Sequence, residues 1–150
     1  MAPSSVPGPA QEPAQEPAQE SAQGRRILLV EDDPDAALFA THVLTRRGGF
    51  EVTHTCDPVV ALALAAEQSW DLVLTDLDLP AMTGLEMLAA LRLLVPRLPV
   101  VLCTAAPRDE WPARSDGCDP DAILGKPVHA GDLLATLAAV ILKGPAWDDG

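Results

Sequence analysis

Basic residues are scarce in this chain: ten Lys and Arg stand against 22 Asp and Glu, and the formal net charge at pH 7 is −12. The few basic residues form no stripe that could neutralise a row of phosphates or an anionic lipid surface. Direct binding of nucleic acid or of a membrane is therefore not expected. The partners that this composition favours are proteins.

Cysteines and long apolar runs are also lacking. Cys56, Cys103 and Cys118 are widely spaced and include no Cys-x-x-Cys pair, so a thiolate metal site is not predicted. The chain has neither the apolar core of a signal peptide nor a run long enough to cross a membrane. A reduced, cytoplasmic location is the default expectation.

Bulky apolar side chains are nearly missing from the first 24 residues, where residues 10–21 repeat the unit Ala-Gln-Glu-Pro with Ser as the final residue. Such a segment buries too little surface to offset its ordering entropy, so residues 1–24 are predicted to be a disordered tail. Residues 25–143 then form one domain, and 144–150 form a short C-terminal tail. From its length, this chain is not expected to contain a second, output domain.

The remaining sequence alternates between strand-like apolar runs and helix-period segments. The runs cover 27–30, 50–55, 72–75, 100–103 and 122–124, and the helical segments cover 34–47, 58–68, 84–95 and 130–142. This alternation predicts an α/β fold with a parallel sheet covered on both faces. The second strand alternates polar with apolar residues and is expected at an edge. The segment 107–120 contains Pro112, Gly117 and Pro120, so at most one or two helical turns are predicted there.

Aspartate followed by proline begins two of the predicted helices, at Asp33-Pro34 and at Asp57-Pro58. An aspartate side chain accepts a hydrogen bond from the first turn, and a proline at the first helical position costs no backbone hydrogen bond. Asp33 and Asp57 are therefore interpreted as helix caps rather than as members of a site.

Polar side chains follow four of the strands at the point where each strand ends: Glu31 with Asp32, then Asp76, Thr104 and Lys126. Right-handed crossovers bring all these strand ends to one edge of a parallel sheet, where ligands of such folds bind. Three carboxylates at one edge repel each other unless a cation lies among them, and oxygen ligands favour Mg²⁺. With a lysine and a hydroxyl beside the ion, the set suits phosphoryl transfer onto a carboxylate.

The motifs that carry this site are ILLVEDDP at 27–34, DLVLTDLDLPAMTG at 71–84 and Lys126-Pro127. Together, over roughly residues 25–142, they resemble the receiver domain of bacterial two-component response regulators. The resemblance implies a flavodoxin-like, doubly wound (βα)5 fold whose five parallel strands have the order 2-1-3-4-5, here with an irregular fourth helix. It also implies a cis peptide bond before Pro127.

By this resemblance, the metal site would hold Mg²⁺ through four residues. Asp32 would bind the ion directly and Glu31 would bind it through water, while Asp76 and the backbone carbonyl of Asp78 would supply further ligands.

The same resemblance makes Asp76 the phosphoacceptor. Thr104 would hydrogen-bond the phosphoryl group, and Lys126 would pair with it. The chain would then be a stand-alone receiver that takes a phosphoryl group from a histidine kinase or a histidine phosphotransfer protein and changes its affinity for another, unidentified protein. It would catalyse its own phosphorylation and hydrolysis but would turn over no external substrate, so it is not predicted to be an enzyme in the usual sense.

Two positions depart from the family pattern. Receivers usually carry Tyr or Phe where this chain has Ile123, and the chain has no tyrosine at all. Since that ring reports phosphorylation in the family, we expect the segment 107–120 to respond instead. Asp78 is the second departure, because the family more often has an apolar or amide residue there. Its carboxylate would either repel incoming phosphate or orient a water for hydrolysis.

Two alternatives remain open at this point. A pseudo-receiver would act as an interaction scaffold that is never phosphorylated, as the altered switch residues would allow. A small phosphohydrolase of the haloacid-dehalogenase type would use Asp76 and Asp78 as its Asp-x-Asp motif, although Glu31 and Asp32 lie where that family places no acids.

Overall fold

Alternating strands and helices make up the described part of the chain, which a computed structural model covers over residues 24–111 and 119–143. The strands are β1 (Arg26–Val30), β2 (Glu51–Thr55), β3 (Leu72–Asp76), β4 (Val100–Thr104) and β5 (Ala122–Gly125). The helices are α1 (Pro34–His42), α2 (Pro58–Glu67), α3 (Gly84–Leu94) and α4 (Ala130–Lys143). A π-helical stretch, Val43–Arg47, continues α1. Of the predicted tails, 1–24 and 144–150, all residues except Gly24 lie outside the described part of the chain.

All five strands are parallel and form one sheet in the order β2-β1-β3-β4-β5. This confirms the predicted flavodoxin-like fold, with β2 at an edge. β3 and β4 each extend one residue beyond the predicted run, so that Asp76 and Thr104 are the last residues of their strands. The peptide bond between Lys126 and Pro127 is cis.

The apolar core lies in two layers, one on each face of the sheet. On one face, residues such as Ile27 and Leu29 of β1 pack against α1, which contributes Ala37, and against α4, which contributes Leu133 and Leu137. The other face packs Leu28 and Val30 of the same strand against α2 and α3. Successive residues of β1 therefore point into different layers, and this two-sided burial is the reason that the central strands are apolar throughout.

Side-chain caps fix the first turns of three helices beside the carboxyl edge of the sheet. Asp33 accepts from the N–H of Asp35 at 3.0 Å, and Asp57 accepts from the N–H of Val59 at 2.9 Å. At the start of α3, Thr83 and Glu86 form a reciprocal capping box that the sequence analysis did not identify. These caps fix where the helices begin after β1, β2 and β3.

The segment predicted to be irregular, 107–120, contains one short 3₁₀ turn, Arg108–Glu110, in its described part. Residues 112–118 lie outside the description. Between β4 and β5 no α-helix is present among the residues that are described, in agreement with the expected irregular fourth helix.

None of the helices in the described ranges combines the length and the apolar character needed to cross a membrane. The cytoplasmic location stays a prediction.

Candidate functional site

Three carboxylates meet at the carboxyl edge of the sheet. Glu31 and Asp32 follow β1, Asp76 ends β3, and these two strands are direct neighbours. One carboxylate oxygen from each of the three residues lies within 4.8 Å of the other two. Glu31 and Asp76 are buried, whereas Asp32 is exposed. The cluster therefore has two buried carboxylates and one exposed carboxylate, which can contact a ligand that arrives from solvent.

The ammonium group of Lys126 bridges the two buried carboxylates. Its Nζ lies 3.1 Å from Glu31 Oε1 and 3.2 Å from Asp76 Oδ2. The backbone N–H of Lys126 donates to the carbonyl of Thr104 at 2.7 Å, which ties the loop after β5 to the end of β4. This arrangement brings a positive charge to the acids although 95 residues separate Lys126 from Glu31.

Burial and the neighbouring charges shift two pKa values in this cluster. Burial raises the pKa of Glu31, and the hydrogen bonds from Asp33 and Lys126 offset part of this effect. Burial also acts to lower the pKa of Lys126, but the hydrogen bond to Glu31 and the charge of Asp76 outweigh it and raise this pKa above its ordinary value. Lys126 is therefore a permanent cation at neutral pH, which suits a group that pairs with an anion.

The hydroxyl of Thr104 lies at the end of β4, and its side chain is fully buried. Thr104 Oγ1 accepts a hydrogen bond from the N–H of Ala106 at 3.0 Å. Accepting this bond leaves the hydroxyl hydrogen to act as a donor. The residue is thus placed at the sheet edge with a donor group and is anchored to the loop that follows.

Asp78 lies in the loop after β3, where its backbone N–H donates to Asp76 Oδ1 at 3.3 Å. Its side chain is exposed. The predicted role of its carbonyl as a metal ligand stays a prediction, as do the roles assigned to the other site residues.

Gly84, the first residue of α3, supports the site through its backbone, a role that the motif at 71–84 and the predicted helix start did not reveal. A Cβ atom at this position would lie 2.7 Å from the Cα of Leu77 and 2.8 Å from the carbonyl oxygen of Asp76. The Gly84 N–H donates to the carbonyl of Leu77. Glycine therefore allows α3 to begin against the backbone that carries Asp76. Its position directly after the capping threonine, Thr83, is the signal that could have identified it.

Behind the site, Cys103 of β4 is buried in the core layer that packs against α1 and α4. Burial raises its pKa to about 12. Cys103 and the exposed Cys56 carry no disulfide among the described residues, and Cys118 lies outside them.

The donor set suits a hard divalent cation. All three converging ligand groups are carboxylates, and oxygen is the ligand atom that Mg²⁺ prefers. The exposed Asp32 leaves one side of the cluster accessible. The acidic cluster of Glu31, Asp32 and Asp76 could therefore bind a metal ion.

Comparison with known families decides the classification. The model of the response regulator receiver domain matches residues 27–138. The chain belongs to the response regulator receiver family. Receiver domains are signalling domains of two-component systems that accept phosphate from histidine kinases, and they are not classical enzymes. The match spans β1 to the middle of α4, so it includes every strand end that contributes to the site.

Among curated proteins, the cell cycle response regulator CtrA of Brucella ovis is 30% identical to this receiver over 118 residues. The match covers 79% of this chain and 50% of that protein. The chain therefore spans about half the length of the curated relatives that it matches.

Solved structures of receivers share the fold. A sensor protein from Polaromonas sp. JS666 is 30% identical, with a TM-score of 0.73 over 79% of this chain and 97% of that one. The receiver domain of a sensor histidine kinase from Pseudomonas aeruginosa PAO1 is 28% identical, with a TM-score of 0.71 over 79% and 98% of the two chains. That domain holds a magnesium ion in its active-site cleft.

The haloacid-dehalogenase alternative is not supported, because one receiver model accounts for residues 27–138. Ile123, the residue at the usual aromatic position, is half-buried and packs against the core layer of α2 and α3. The ring that lies beside β5 belongs instead to Trp111, whose Cζ2 would be 3.4 Å from a Cβ at Gly125. Sequence reasoning did not anticipate this position for Trp111.

Proposed function

We propose that this receiver accepts a phosphoryl group on Asp76, in a Mg²⁺-dependent reaction, from a histidine kinase or a histidine phosphotransfer protein. The modified domain then binds a downstream protein with altered affinity. The observation that carries the proposal is the pairing of Asp76 and Glu31 with one lysine cation, beside the exposed Asp32.

The reaction needs a carboxylate oxygen that can attack phosphorus. An oxygen of Asp76 forms the new bond to phosphorus, the bond between phosphorus and the donor breaks, and the donor leaves with the electron pair of that bond. Asp76 is 8% exposed at the sheet edge, so its carboxylate is partly desolvated but still open to a donor. The product is a mixed anhydride, which water later hydrolyses to restore Asp76.

Lys126 and Thr104 support the accepted phosphoryl group. The Lys126 ammonium lies 3.2 Å from Asp76 Oδ2 and would pair with a phosphoryl oxygen bound there. The Thr104 hydroxyl accepts from Ala106 and would donate its own hydrogen to another phosphoryl oxygen.

Mg²⁺ would be held by Asp32 and Asp76 directly, by Glu31 through water and by the Asp78 carbonyl. When bound, it supplies positive charge that neutralises the carboxylates and the incoming phosphate. The donor chemistry of the cluster fits this ion, since the converging ligand atoms are all oxygens.

Intact-mass analysis tests the proposal. The full chain is incubated with a small phosphodonor, with and without Mg²⁺, as wild type and as Asp76→Asn. We expect one phosphoryl adduct on the wild type that requires Mg²⁺, and none on Asp76→Asn, because an amide oxygen is not a nucleophile for this reaction. Asp132→Asn is the matched control, since it makes the same chemical change in the first turn of α4, outside the acidic cluster.

An adduct on Asp76→Asn would place the modification elsewhere and contradict the assignment. Absence of an adduct on every protein, also with a phosphotransfer partner as donor, would favour the pseudo-receiver.

A further inference from the structure

The edge strand β2 contacts the main chain of Glu31 through an imidazole. Nε2 of His54 lies 2.8 Å from the carbonyl oxygen of Glu31. Since a carbonyl oxygen can only accept, the hydrogen of this bond is carried by His54 Nε2. The bond lies beyond the β1–β2 register, whose last pair is Val30 with Thr55. It is therefore a side-chain contact added to the end of the sheet.

Two consecutive residues of β2 hold both backbone polar groups of Glu31. The Glu31 N–H donates to the carbonyl of Thr55 at 3.1 Å, and the Glu31 carbonyl accepts from His54. The Glu31 side chain is also held, by the Lys126 ammonium on Oε1 and by the Asp33 N–H on Oε2. Glu31 is thus fixed at its main chain and at its carboxylate.

The carbonyl that His54 holds belongs to the peptide group that joins Glu31 to Asp32. The direction of this peptide plane sets the direction in which the Asp32 backbone continues, because the plane is rigid. Asp32 is exposed, so core packing does little to orient it. The contact from His54 is therefore placed to orient the exposed carboxylate of the cluster.

We infer that His54 is a positioning residue of the metal site: it holds the Glu31–Asp32 peptide so that the Asp32 carboxylate faces the ion. The inference rests on the proposed function, in which Asp32 binds Mg²⁺ directly. Hydrogen bonds outside the ligand sphere commonly orient metal ligands in this manner. The side chain of His54 is itself exposed, so its removal takes little apolar area from the core.

Titration of the full chain with MgCl₂ alone, followed by amide chemical shifts, tests this role. We expect His54→Ala to weaken Mg²⁺ binding about threefold to tenfold. This loss of affinity is smaller than is usual when a residue that orients a metal ligand is removed, because one peptide group separates His54 from Asp32. His54→Gln retains a side-chain N–H donor and is expected to recover most of the affinity. His42→Ala is the matched control, since this exposed histidine lies at the far end of α1.

The results separate a positioning role from a merely structural one. Equal Mg²⁺ affinity in wild type and His54→Ala overturns the inference, as does an equal loss in His54→Ala and His54→Gln. If His54→Ala does not fold, two other measurements decide: the Mg²⁺ affinity of His54→Gln and the ring resonances of wild-type His54. The Nε2–H resonance of wild-type His54 is expected to be protected from exchange and to shift when Mg²⁺ is added. A His54 ring resonance whose chemical shift does not change when Mg²⁺ is added contradicts the inference. If the wild type itself binds no Mg²⁺, the proposed function fails first, and the inference fails with it.

Discussion

The indole N–H of Trp111 donates to the carbonyl oxygen of Ala106 at 3.0 Å. The N–H of the same alanine donates to Thr104 Oγ1, also at 3.0 Å. One residue therefore connects the hydroxyl at the site edge to the indole, which lies beside Gly125 on β5. If a phosphoryl group on Asp76 draws the Thr104 hydroxyl toward it, the bond to Ala106 changes and Trp111 is affected directly.

This connection predicts that Trp111 responds to phosphorylation although the chain has no tyrosine. In a variant with Trp70→Phe and Trp147→Phe, saturation with Mg²⁺ and beryllofluoride should shift the emission of Trp111 and alter amide exchange over residues 106–111. Adding Thr104→Val should abolish the shift, because valine cannot bond to Ala106 or to the phosphoryl mimic.

Fluorine NMR reports whether the mimic is bound in each variant. An emission shift of the same size in the Thr104→Val protein would show that the signal does not pass through Ala106. Full occupancy with unchanged emission and exchange would contradict the expected response of this segment.

Asp78→Asn should lengthen the lifetime of the phosphoryl group on Asp76. The Asp78 N–H bonds to Asp76 Oδ1, so the exposed Asp78 side chain begins close to the acceptor. A carboxylate there can accept a proton from attacking water, and an amide is a much poorer base. The decay of the adduct, followed by intact mass after removal of the donor, measures the lifetime. Asp132→Asn, in the first turn of α4, serves as control, and equal lifetimes for wild type and Asp78→Asn would remove this side chain from the mechanism.

Gly84→Ala should destabilise the fold by about 1–3 kcal/mol, because the new methyl group must push away the backbone of Leu77 and Asp76. Gly131→Ala, in α4, is the matched control: nothing lies within 4 Å of its Cβ position, and alanine favours a helix by about 1 kcal/mol. Urea unfolding of both variants measures the difference. A Gly84→Ala protein as stable as Gly131→Ala would contradict the close approach of α3 to β3.

Cys103 should resist alkylation in the folded protein, while Cys56 should react. Cys103 is 7% exposed and burial raises its pKa to about 12, so very little of its thiol is ionised at pH 8. The thiolate is the reactive form, and its fraction falls about tenfold for each pH unit below that pKa. Peptide mass spectrometry after brief iodoacetamide treatment, with and without denaturant, measures both sites. Comparable rates at Cys103 and Cys56 in the folded protein would show that the β4 end opens to solvent.

Local patterns in the chain were sufficient for the parallel α/β sheet and for the gathering of the site, whereas the full strand order was implied by the family resemblance. Unbroken apolar runs mark strands buried on both faces, and the helical segments between them require parallel crossovers. Such crossovers place the ends of β1, β3, β4 and β5 at one edge. For this reason Glu31, Asp76 and Lys126 could be expected together before any contact was known.

The contacts within that edge depended on the tertiary structure. Strand order gives the neighbours of a residue, but it does not say that Lys126 bridges two acids, that His54 reaches past the sheet to Glu31, or that Trp111 lies beside β5. Nor does a glycine at a helix start show that α3 begins against the backbone of Asp76.

The physical reason is the difference between periodicity and packing. The alternation of apolar and polar residues is a property of neighbouring positions, so the sequence by itself determined the parallel α/β sheet, the edge position of β2 and the edge at which the polar residues gather. Hydrogen bonds of about 3 Å between residues far apart in the chain depend on sheet twist, loop course and side-chain rotamers acting together. Only the tertiary structure decided which groups at that edge hold one another.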